Sequence, residues 1–321
     1  MSIQPCVKPE ATSLRGRDLL SLYDLSKEEI DEILKTAETL KSMHYLGADY
    51  KPLKGKSLGM IFQKSSTRTR VSFEVAMWQL GGHALFLSSS DTQLGRGETI
   101  PDTARVLSRF VDGIMIRAYS HKDVELLAEY ADIPVINGLT DYSHPCQVLA
   151  DLFTIYEKKK KLAGLKLAFI GDGNNNMANS LLFGCTKVGM NIAIGAPKGY
   201  QPLEEVMKKA EAVAETTGSE IMITEDIFEA AKDADVLYTD VWTSMGQENE
   251  RKIREEAFAG YQINEDVVKA ADDEVIVMHC LPAHRGEEIT HDVIEGPHSV
   301  VFDEAENRLH VQKAILTLIM G

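Results

Sequence analysis

The segment "SSTRTR", residues 65–70, places four hydroxyl groups and two guanidinium groups in six consecutive positions. An apolar run, "SLGMIF", precedes it, and a helical pattern that closes at Gly81 and Gly82 follows it. This order predicts a strand, a turn and the N-terminus of a helix. Unpaired backbone N–H groups, hydroxyls and an arginine fork converge at such a terminus and can bind a phosphate or another anion.

Only part of this segment is expected to contact an anion. One hydroxyl is enough to cap the helix, and capping alone is the structural alternative. Arg68 is the arginine that we expect to reach the anion, because Arg70 lies two positions away and has Glu74, four residues further on, as a surface partner. The turn lacks the GxxxxGK[ST] pattern, so it does not predict a nucleoside triphosphate.

Three further polar clusters follow predicted strands. "GIMIRAYSH" places Arg117 at a strand end, "DYSHPCQ" contains His144 and Gln147, and "VIVMHCLPAHRGEE" carries Cys280 after an apolar run. Because the carboxyl ends of parallel strands line one crevice, we expect these clusters to share a site. Each has a structural alternative, since a strand-end arginine can be a surface residue and His144 can pack in the core beside a helix cap.

Cys280 is open to three interpretations. It could ligate zinc with His279 and His284, act as a nucleophile, or make a polar contact to a substrate. A zinc site would need a fourth spaced ligand, and the sequence has no CxxC pair. The composition of this segment therefore disfavours a metal, and no metal site is expected.

Alternating β-branched runs and helical patterns predict parallel sheets. Amphipathic helices are predicted over residues 26–46 and 304–320. The predicted strands are Ser57–Phe62, His83–Leu87, Gly113–Arg117, Pro134–Asn137, Leu165–Ile170, Asn191–Ile194, Val236–Val241 and Val275–Met278.

The predicted fold class is α/β, with two doubly wound parallel-sheet domains and with N- and C-terminal helices that pack across the domains. A length of 321 residues favours two domains over one. The charged stretch "YEKKKKLAGLK" looks like a domain boundary rather than a basic binding site. We expect a first domain over residues 1–150 and a second over 151–303, with the C-terminal helix, about 304–321, packing back onto the first.

Composition excludes several classes of partner. A net charge of −15 argues against nucleic acid and anionic membranes. No apolar run approaches the roughly 20 residues of a membrane span, and the first residues show no signal or transit pattern, so a cytoplasmic location is expected. The four cysteines are scattered, which suits reduced thiols.

Four motifs, "FQKSSTRTR", "MIRAYSH", "HPCQ" and "MHCLPAHRG", resemble in sequence and order those of the transcarbamylases, which move a carbamoyl group from carbamoyl phosphate to an amine. The resemblance covers nearly the whole chain. It implies that the first domain binds carbamoyl phosphate and the second binds the amine. It also implies a homo-oligomer, a trimer or a multiple of trimers.

The resemblance implies a role for each matched residue. Thr69, Arg117 and His144 would stabilise the oxyanion of a tetrahedral intermediate, and Cys280 would steer the amine without forming a covalent bond. Gln93 would be donated by the neighbouring subunit. The implied carbamoyl-phosphate site consists of Ser66, Thr67, Arg68, Thr69, Gln93, Arg117, His144, Gln147, Cys280, Leu281 and Arg308.

The amine is predicted from the second half. "DVWTSMGQE" and "GDGNNNMANS" resemble the substrate loop and the asparagine-bearing turn of the ornithine-specific members of the family. Asp240 suits an α-ammonium, and Asn176 and Ser244 suit a carboxylate. The expected products are L-citrulline and phosphate, and the implied ornithine site consists of Asn175, Asn176, Asp240, Ser244 and Met245.

Three alternatives to ornithine transfer stay open. Another amine, such as putrescine or N-acetylornithine, could be the acceptor, or the chain could be a catalytically inactive binding module. "GDGNNN" also invites a dinucleotide-binding interpretation, but it lacks the third glycine of GxGxxG. No cofactor is expected.

Overall fold

The computed structural model describes residues 14–244 and 246–321. Its first half contains, in chain order, α1 (Lys27–Tyr45), β1 (Ser57–Phe62), α2 (Thr67–Gln79), β2 (His83–Ser88), α3 (Ile100–Leu107), β3 (Gly113–Arg117), α4 (His121–Tyr130), β4 (Val135–Leu139) and α5 (Pro145–Lys159). The second half contains β5 (Lys166–Ile170), α6 (Asn176–Val188), β6 (Asn191–Gly195), α7 (Glu204–Thr217), β7 (Ile221–Thr224), α8 (Ile227–Ala231), β8 (Val236–Thr239), α9 (Arg251–Ala257), α10 (Glu265–Ala270), β9 (Ile276–His279), α11 (His291–Ile294) and α12 (Val301–Met320).

The strands form two parallel sheets. The first has the order β2-β1-β3-β4, and the second has the order β7-β6-β5-β8-β9. In each sheet the strand order reverses beside the first strand, between β1 and β3 and between β5 and β8. Such a reversal opens a crevice at the carboxyl ends of the two strands, where α/β proteins bind ligands. The predicted fold class is confirmed.

Helix α12 connects the two halves. It packs against α1, α2 and α5 of the first half and against β9 of the second. Its apolar face is buried in the core through Val311, Ile315 and Leu318. Two charged residues near its start, Glu304 and Arg308, are buried as well. The helix therefore carries polar groups into the region between the two sheets.

The sequence predicted eight of the strands with small shifts at their ends. It missed β7 (Ile221–Thr224), a half-exposed edge strand of four residues. The predicted division at residue 150 falls inside α5, and the segment that links the sheets follows Lys159. None of the helices in the described ranges combines the length and apolar character that a membrane span requires.

Candidate active site

A cavity of about 930 Å³ lies in the crevice between the two halves. Its lining includes the N-terminus of α2, the end of β3, the starts of α5 and α6, the loops after β8 and β9, and Arg308 of α12. The structure thus brings together thirteen of the residues predicted from the sequence: Ser66, Thr67, Arg68, Thr69, Arg117, His144, Gln147, Asn176, Asp240, Ser244, Cys280, Leu281 and Arg308.

Three predicted residues are not in this group. Gln93 lies in an exposed 3-10 helix, Gln93–Arg96, outside the cavity of its own chain. Asn175 caps α6, where its Oδ1 accepts a hydrogen bond from the N–H of Ala178 at 2.8 Å. Met245 lies outside the described residues.

The N-terminus of α2 opens into the cavity. Ser66 is the N-cap, and its hydroxyl accepts from the N–H of Thr69 at 3.1 Å. The capping alternative thus describes Ser66, but its neighbours also line the cavity. The first turn has no acidic residue to offset the positive end of the helix dipole. Arg70 lies over Phe86 and pairs with Glu74 at 3.0 Å, as the spacing predicts.

Three arginines meet at this end of the cavity. Burial, followed by the charges of Arg308 and Arg68, lowers the pKa of Arg117 to about 10. The buried Nε of Arg117 has no hydrogen-bond partner among the described residues. Such a concentration of positive charge in a chain of net charge −15 needs an anion to offset it.

Arg308 is fixed by two hydrogen bonds. Its Nη1 donates to Oε1 of Gln147 at 2.5 Å, and its Nη2 donates to Oγ1 of Thr69 at 3.3 Å. The sequence around Arg308 predicts an exposed residue at the start of a helix, whereas the side chain is buried. Only the family resemblance signalled its place in the site.

His144 precedes α5, and its backbone N–H donates to Oγ of Ser180 on α6 at 2.9 Å. Its imidazole is buried, and Nδ1 has no partner within the described part of the chain. Burial and the nearby arginines lower the pKa of His144 well below its ordinary value. The ring is therefore neutral at pH 7 and can donate one hydrogen bond without carrying charge.

The opposite wall carries Asp240 and Cys280. The thiol of Cys280 donates to Oδ1 of Asp240 at 3.1 Å. Burial and the carboxylate of Asp240 raise the pKa of Cys280 well above its ordinary value, and burial raises that of Asp240. A protonated thiol is a poor nucleophile, so the geometry favours a polar contact over covalent catalysis.

The loop after β9 is held by a buried histidine. Nδ1 of His279 accepts from the N–H of Leu281 at 2.9 Å, and its Nε2 faces Oε1 of Glu288 at 3.0 Å. Leu281 has a φ of 55°, and its carbonyl accepts from Nη2 of Arg68 at 2.6 Å. This last hydrogen bond crosses the crevice between the two halves.

The same cluster bears on the zinc alternative. Asp240, His279 and Cys280 have ligand-type atoms within 4.8 Å of one another, whereas His284 groups with Glu287 and Glu288. Because both ring nitrogens of His279 are engaged in hydrogen bonds, a metal would have to displace one of them.

Asn176 and Ser244 complete the second wall. Nδ2 of Asn176 donates to the carbonyl of Thr140 at 2.6 Å, which is a further contact between the halves. Ser244 lines the cavity, and its N–H donates to Gln247 at 3.0 Å. Asn175 and Asn176 are adjacent in sequence, but only Asn176 is among the lining residues described.

The sequence analysis missed some of the lining. Lys64 and Ser88–Ser90 reach the cavity, and Nζ of Lys64 lies 4.5 Å from the centre of the Tyr119 ring. Lys64 belongs to the quoted "FQKSSTRTR" motif, so its position beside the predicted helix N-terminus was an available signal. The serines follow β2 at its carboxyl end, which is the same signal that identified the other clusters.

Comparisons with known proteins agree with this geometry. Residues 17–157 match the family model described as "Aspartate/ornithine carbamoyltransferase, carbamoyl-P binding domain", and residues 163–319 match the corresponding "Asp/Orn binding domain". An ornithine carbamoyltransferase of Pyrococcus abyssi is 59% identical over 309 residues, 96% of this chain and 97% of that protein. One of Thermococcus kodakarensis is 57% identical over 309 residues, 96% of this chain and 98% of the relative.

A solved structure shows the same fold. The ornithine carbamoyltransferase of Pyrococcus furiosus superposes with a TM-score of 0.93 at 58% sequence identity, over 96% of this chain and 98% of that one. A curated relative from this organism, also 58% identical over 96% of this chain and 98% of its own length, is named as anabolic.

The neutrality of His144 can be measured. We expect the ring of His144 to protonate only at a pH well below that of an ordinary histidine, because protonation would add a charge to a buried side chain beside three arginines. The unfolded chain takes up this proton near pH 6.5, so acidification below that pH should weaken folding. NMR of ring-labelled histidine, with His144→Asn to assign the signal, checks this.

The urea-unfolded protein supplies the control, since its histidines should titrate near pH 6.5. Conversion of the His144 ring to imidazolium between pH 7.5 and 6 in the folded protein would contradict the prediction.

Proposed function

This chain belongs to the aspartate/ornithine carbamoyltransferase family, and we propose that it transfers the carbamoyl group of carbamoyl phosphate to the δ-amine of L-ornithine, giving L-citrulline and phosphate. The observation that carries the proposal is the meeting of Arg68, Arg117 and Arg308 at a helix N-terminus, opposite the carboxylate of Asp240. This arrangement suits a phosphorylated substrate on one wall and an ammonium group on the other.

We assign carbamoyl phosphate to the wall formed by α2, β3, α5 and α12, which we call the first wall, with further contacts from the opposite, second wall. Ser66, Thr67, Arg68, Thr69 and Arg117 would hold the phosphate with the N–H groups of α2. The carbamoyl group would contact His144, Gln147, Cys280, the carbonyl of Leu281 and Arg308. Gln93 would reach the phosphate from a neighbouring subunit.

We assign L-ornithine to the second wall. Asp240 would accept hydrogen bonds from the α-ammonium, and Asn176 and Ser244 would donate to the α-carboxylate. The amide of Asn176 has two N–H donors, so one can stay on Thr140 while the other binds the substrate. Asn175 and Met245 complete the proposed site.

The reaction is an addition followed by an elimination. The neutral δ-amine attacks the carbonyl carbon and forms a C–N bond, and the oxyanion is stabilised by Thr69, Arg117 and His144. The C–O bond to phosphate then breaks, phosphate leaves with the electron pair, and the amine proton is released. Catalysis is positioning plus electrostatic stabilisation, in which losing one donor typically costs ~3 kcal/mol, about a hundredfold in rate.

The substrate assignment is tested by offering L-ornithine, putrescine, N-acetylornithine and L-aspartate separately with carbamoyl phosphate. We expect citrulline and phosphate from ornithine alone, because Asp240, Asn176 and Ser244 together match an α-amino acid. Turnover of another amine would keep the phosphate site and overturn this assignment. No turnover with any of the four would favour the inactive binding module.

Cys280→Ser separates a polar contact from covalent catalysis. Serine keeps a donor for Asp240, so we expect the variant to keep measurable citrulline synthesis, reduced by tenfold to a hundredfold. Steady-state kinetics gives the rate, and mass spectrometry of the wild-type protein quenched during turnover should show no carbamoyl adduct. A carbamoyl thioester on Cys280, with complete loss in the serine variant, would sink the assignment.

We further propose that the chain forms a homotrimer, or a multiple of trimers, in which Gln93 enters the neighbour's cavity. Gln93 is exposed and lies outside the cavity of its own chain, only three residues beyond the lining residue Ser90. Large exposed apolar side chains lie on α2 and β2 of the same half, which supports a contact surface there: Val71, Trp78, Leu85 and Phe86.

Subunit mixing tests the shared site. Oligomers of the Gln93→Ala variant alone, or of the Arg117→Ala variant alone, should have little activity. Oligomers that mix the two variants should regain activity at each site where an intact Arg117 of one chain meets an intact Gln93 of its neighbour. The control mixes Arg117→Ala with His144→Ala, two defects in one chain's wall, and should recover nothing. Absence of recovery in mixed oligomers shown to form, or equal recovery in the control, would rule out the proposed sharing.

Three coarser proposals accompany this function. We propose that residues 1–150 with the C-terminal helix, about 304–321, form the carbamoyl-phosphate domain and that 151–303 form the ornithine domain. We also propose a cytoplasmic location, without nucleic-acid or membrane partners. The reaction would serve arginine biosynthesis, in the direction named for the Pyrococcus furiosus relative.

A further inference from the structure

Behind the first wall lie two carboxyl groups that the proposed reaction does not use. Asp151 on α5 and Glu304 on α12 are both fully buried, and they lie beside each other because both accept from the same amide nitrogen, Nε2 of Gln147. Nε2 of Gln147 donates to Oδ1 of Asp151 at 2.8 Å and to Oε1 of Glu304 at 3.0 Å. The pair is thus one hydrogen bond away from a residue of the proposed carbamoyl site.

Glu304 also reaches the second half of the chain. Its Oε2 accepts from the backbone N–H of His279 at 2.9 Å, and its Oε1 accepts from the hydroxyl of Tyr238 at 3.1 Å. His279 immediately precedes Cys280 and, through Nδ1, holds the N–H of Leu281. One carboxylate therefore connects Gln147 on the first wall to the strand end that carries Cys280 on the second.

The amide of Gln147 needs this pair to face the right way. Its oxygen accepts from Arg308 while its nitrogen donates to the two carboxyls. Without acceptors behind it, the amide could rotate and present N–H groups to the guanidinium, which is donor against donor. Gln147, in this orientation, positions Arg308 in the cavity together with Thr69.

We expect the two carboxyls to hold one proton between them. Burial raises the pKa of both, and two buried carboxylates in contact repel each other. Glu304 accepts from three donors, whereas Asp151 accepts from one, and its Oδ2 meets no donor among the residues the structure describes. Hydrogen bonds from donors stabilise an ionised carboxylate, so we place the proton on Asp151, where Oδ2 can donate it to Glu304.

We propose that Glu304 and Asp151 are positioning residues for carbamoyl transfer. Together they orient Gln147, and through it Arg308, while Glu304 fixes the strand end at His279 and thereby Cys280 and Leu281. This inference rests on the proposed function, since it concerns the same site. It adds two residues that contact no substrate and that fix the positions of the two walls relative to each other.

Two isosteric variants distinguish the members of the pair. Asp151→Asn mimics the protonated acid, because its NH₂ donates to Glu304 and its oxygen still accepts from Gln147. We expect its kcat and KM to stay within about threefold of the wild type. In Glu304→Gln the new NH₂ group must face a hydrogen-bond donor. It would face the N–H of His279 in one orientation of the amide, and Gln147 and Tyr238 in the other. We expect its kcat/KM for carbamoyl phosphate to fall about a hundredfold, as catalytic groups shift.

Thr154→Val supplies the matched control. Thr154 on α5 accepts from Nδ2 of Asn307 on α12 at 2.9 Å, so it joins the same two helices one turn away, is fully buried and does not contact Gln147 or Arg308. We expect a lower melting temperature for this variant and an unchanged KM for carbamoyl phosphate. If Glu304 had only a structural role, Glu304→Gln would likewise have a lower melting temperature and would show normal kinetics at a temperature where it is folded.

Tyr238→Phe keeps the inference testable if Glu304→Gln does not fold. It removes one donor to Glu304 at nearly constant volume, and we expect KM for carbamoyl phosphate to rise several-fold. Normal kinetics in folded Glu304→Gln would overturn the inference. If that variant does not fold, normal kinetics in Tyr238→Phe would overturn it instead. Equal losses of activity in Asp151→Asn and Glu304→Gln would also overturn it.

The proposed function and this inference fail separately. If the wild type forms no citrulline, the proposed function fails, and calorimetric titration with carbamoyl phosphate still tests the positioning of Arg308. Weaker binding to Glu304→Gln than to Asp151→Asn and Thr154→Val would support the inference. Equal binding to all three would contradict it.

Discussion

The site depends on holding three arginines at one end of a cavity against their mutual repulsion. Arg68, Arg117 and Arg308 come from α2, β3 and α12, which are far apart in the sequence. Folding removes Arg117 and Arg308 from water and brings like charges together, and both effects are unfavourable. Hydrogen bonds to Leu281, Thr69 and Gln147 offset part of this cost. The remaining positive potential is available to an anion.

The same constraint links the two halves. Arg68 donates to Leu281, Asn176 donates to Thr140, and the N–H of His144 donates to Ser180, so hydrogen bonds cross the crevice on several sides of the cavity. These hydrogen bonds tie the two walls of the cavity to each other. The position of each catalytic group therefore depends on how closely the halves approach, and α12, which packs on both, carries the residues that connect them.

Much of this architecture could be predicted from the sequence. Short β-branched runs identified eight strands, because local pattern suffices for them. Polar clusters at the strand ends, together with the family resemblance, identified thirteen of the residues that line the cavity. The strand β7 (Ile221–Thr224) was missed because a short, half-exposed edge strand has neither a continuous apolar run nor a clear alternation. The sequence pattern did not distinguish the positions of Asn175 and Asn176, since Asn175 caps a helix while Asn176 lines the site.

Pairings over long sequence distances could not be predicted in this way. Glu304 and Arg308, four residues apart on a helix, have the spacing of an ordinary surface ion pair. The structure instead buries both and gives them separate partners, since Arg308 contacts Gln147 and Thr69, and Glu304 contacts Tyr238 and His279. Periodicity identifies the face of a helix, but what covers that face is decided by elements that here lie 25 to 239 residues away.

The charges of the site also bear on how the nucleophile becomes reactive. In the proposed complex, Asp240 would attract the α-ammonium of ornithine to one end of the cavity, and this would direct the δ-amine toward the arginines. A free alkyl ammonium has a pKa of about 10.4, so at neutral pH the δ-nitrogen arrives protonated. Positive charge nearby and removal from water both favour loss of that proton. Between the two ends, His144 and Cys280 are held in their neutral forms by burial and by the same charged neighbours. In the proposed complex, the residues nearest the reacting carbon would thus donate hydrogen bonds without adding charge, and the arginines assigned to the phosphate would also favour the neutral amine that attacks.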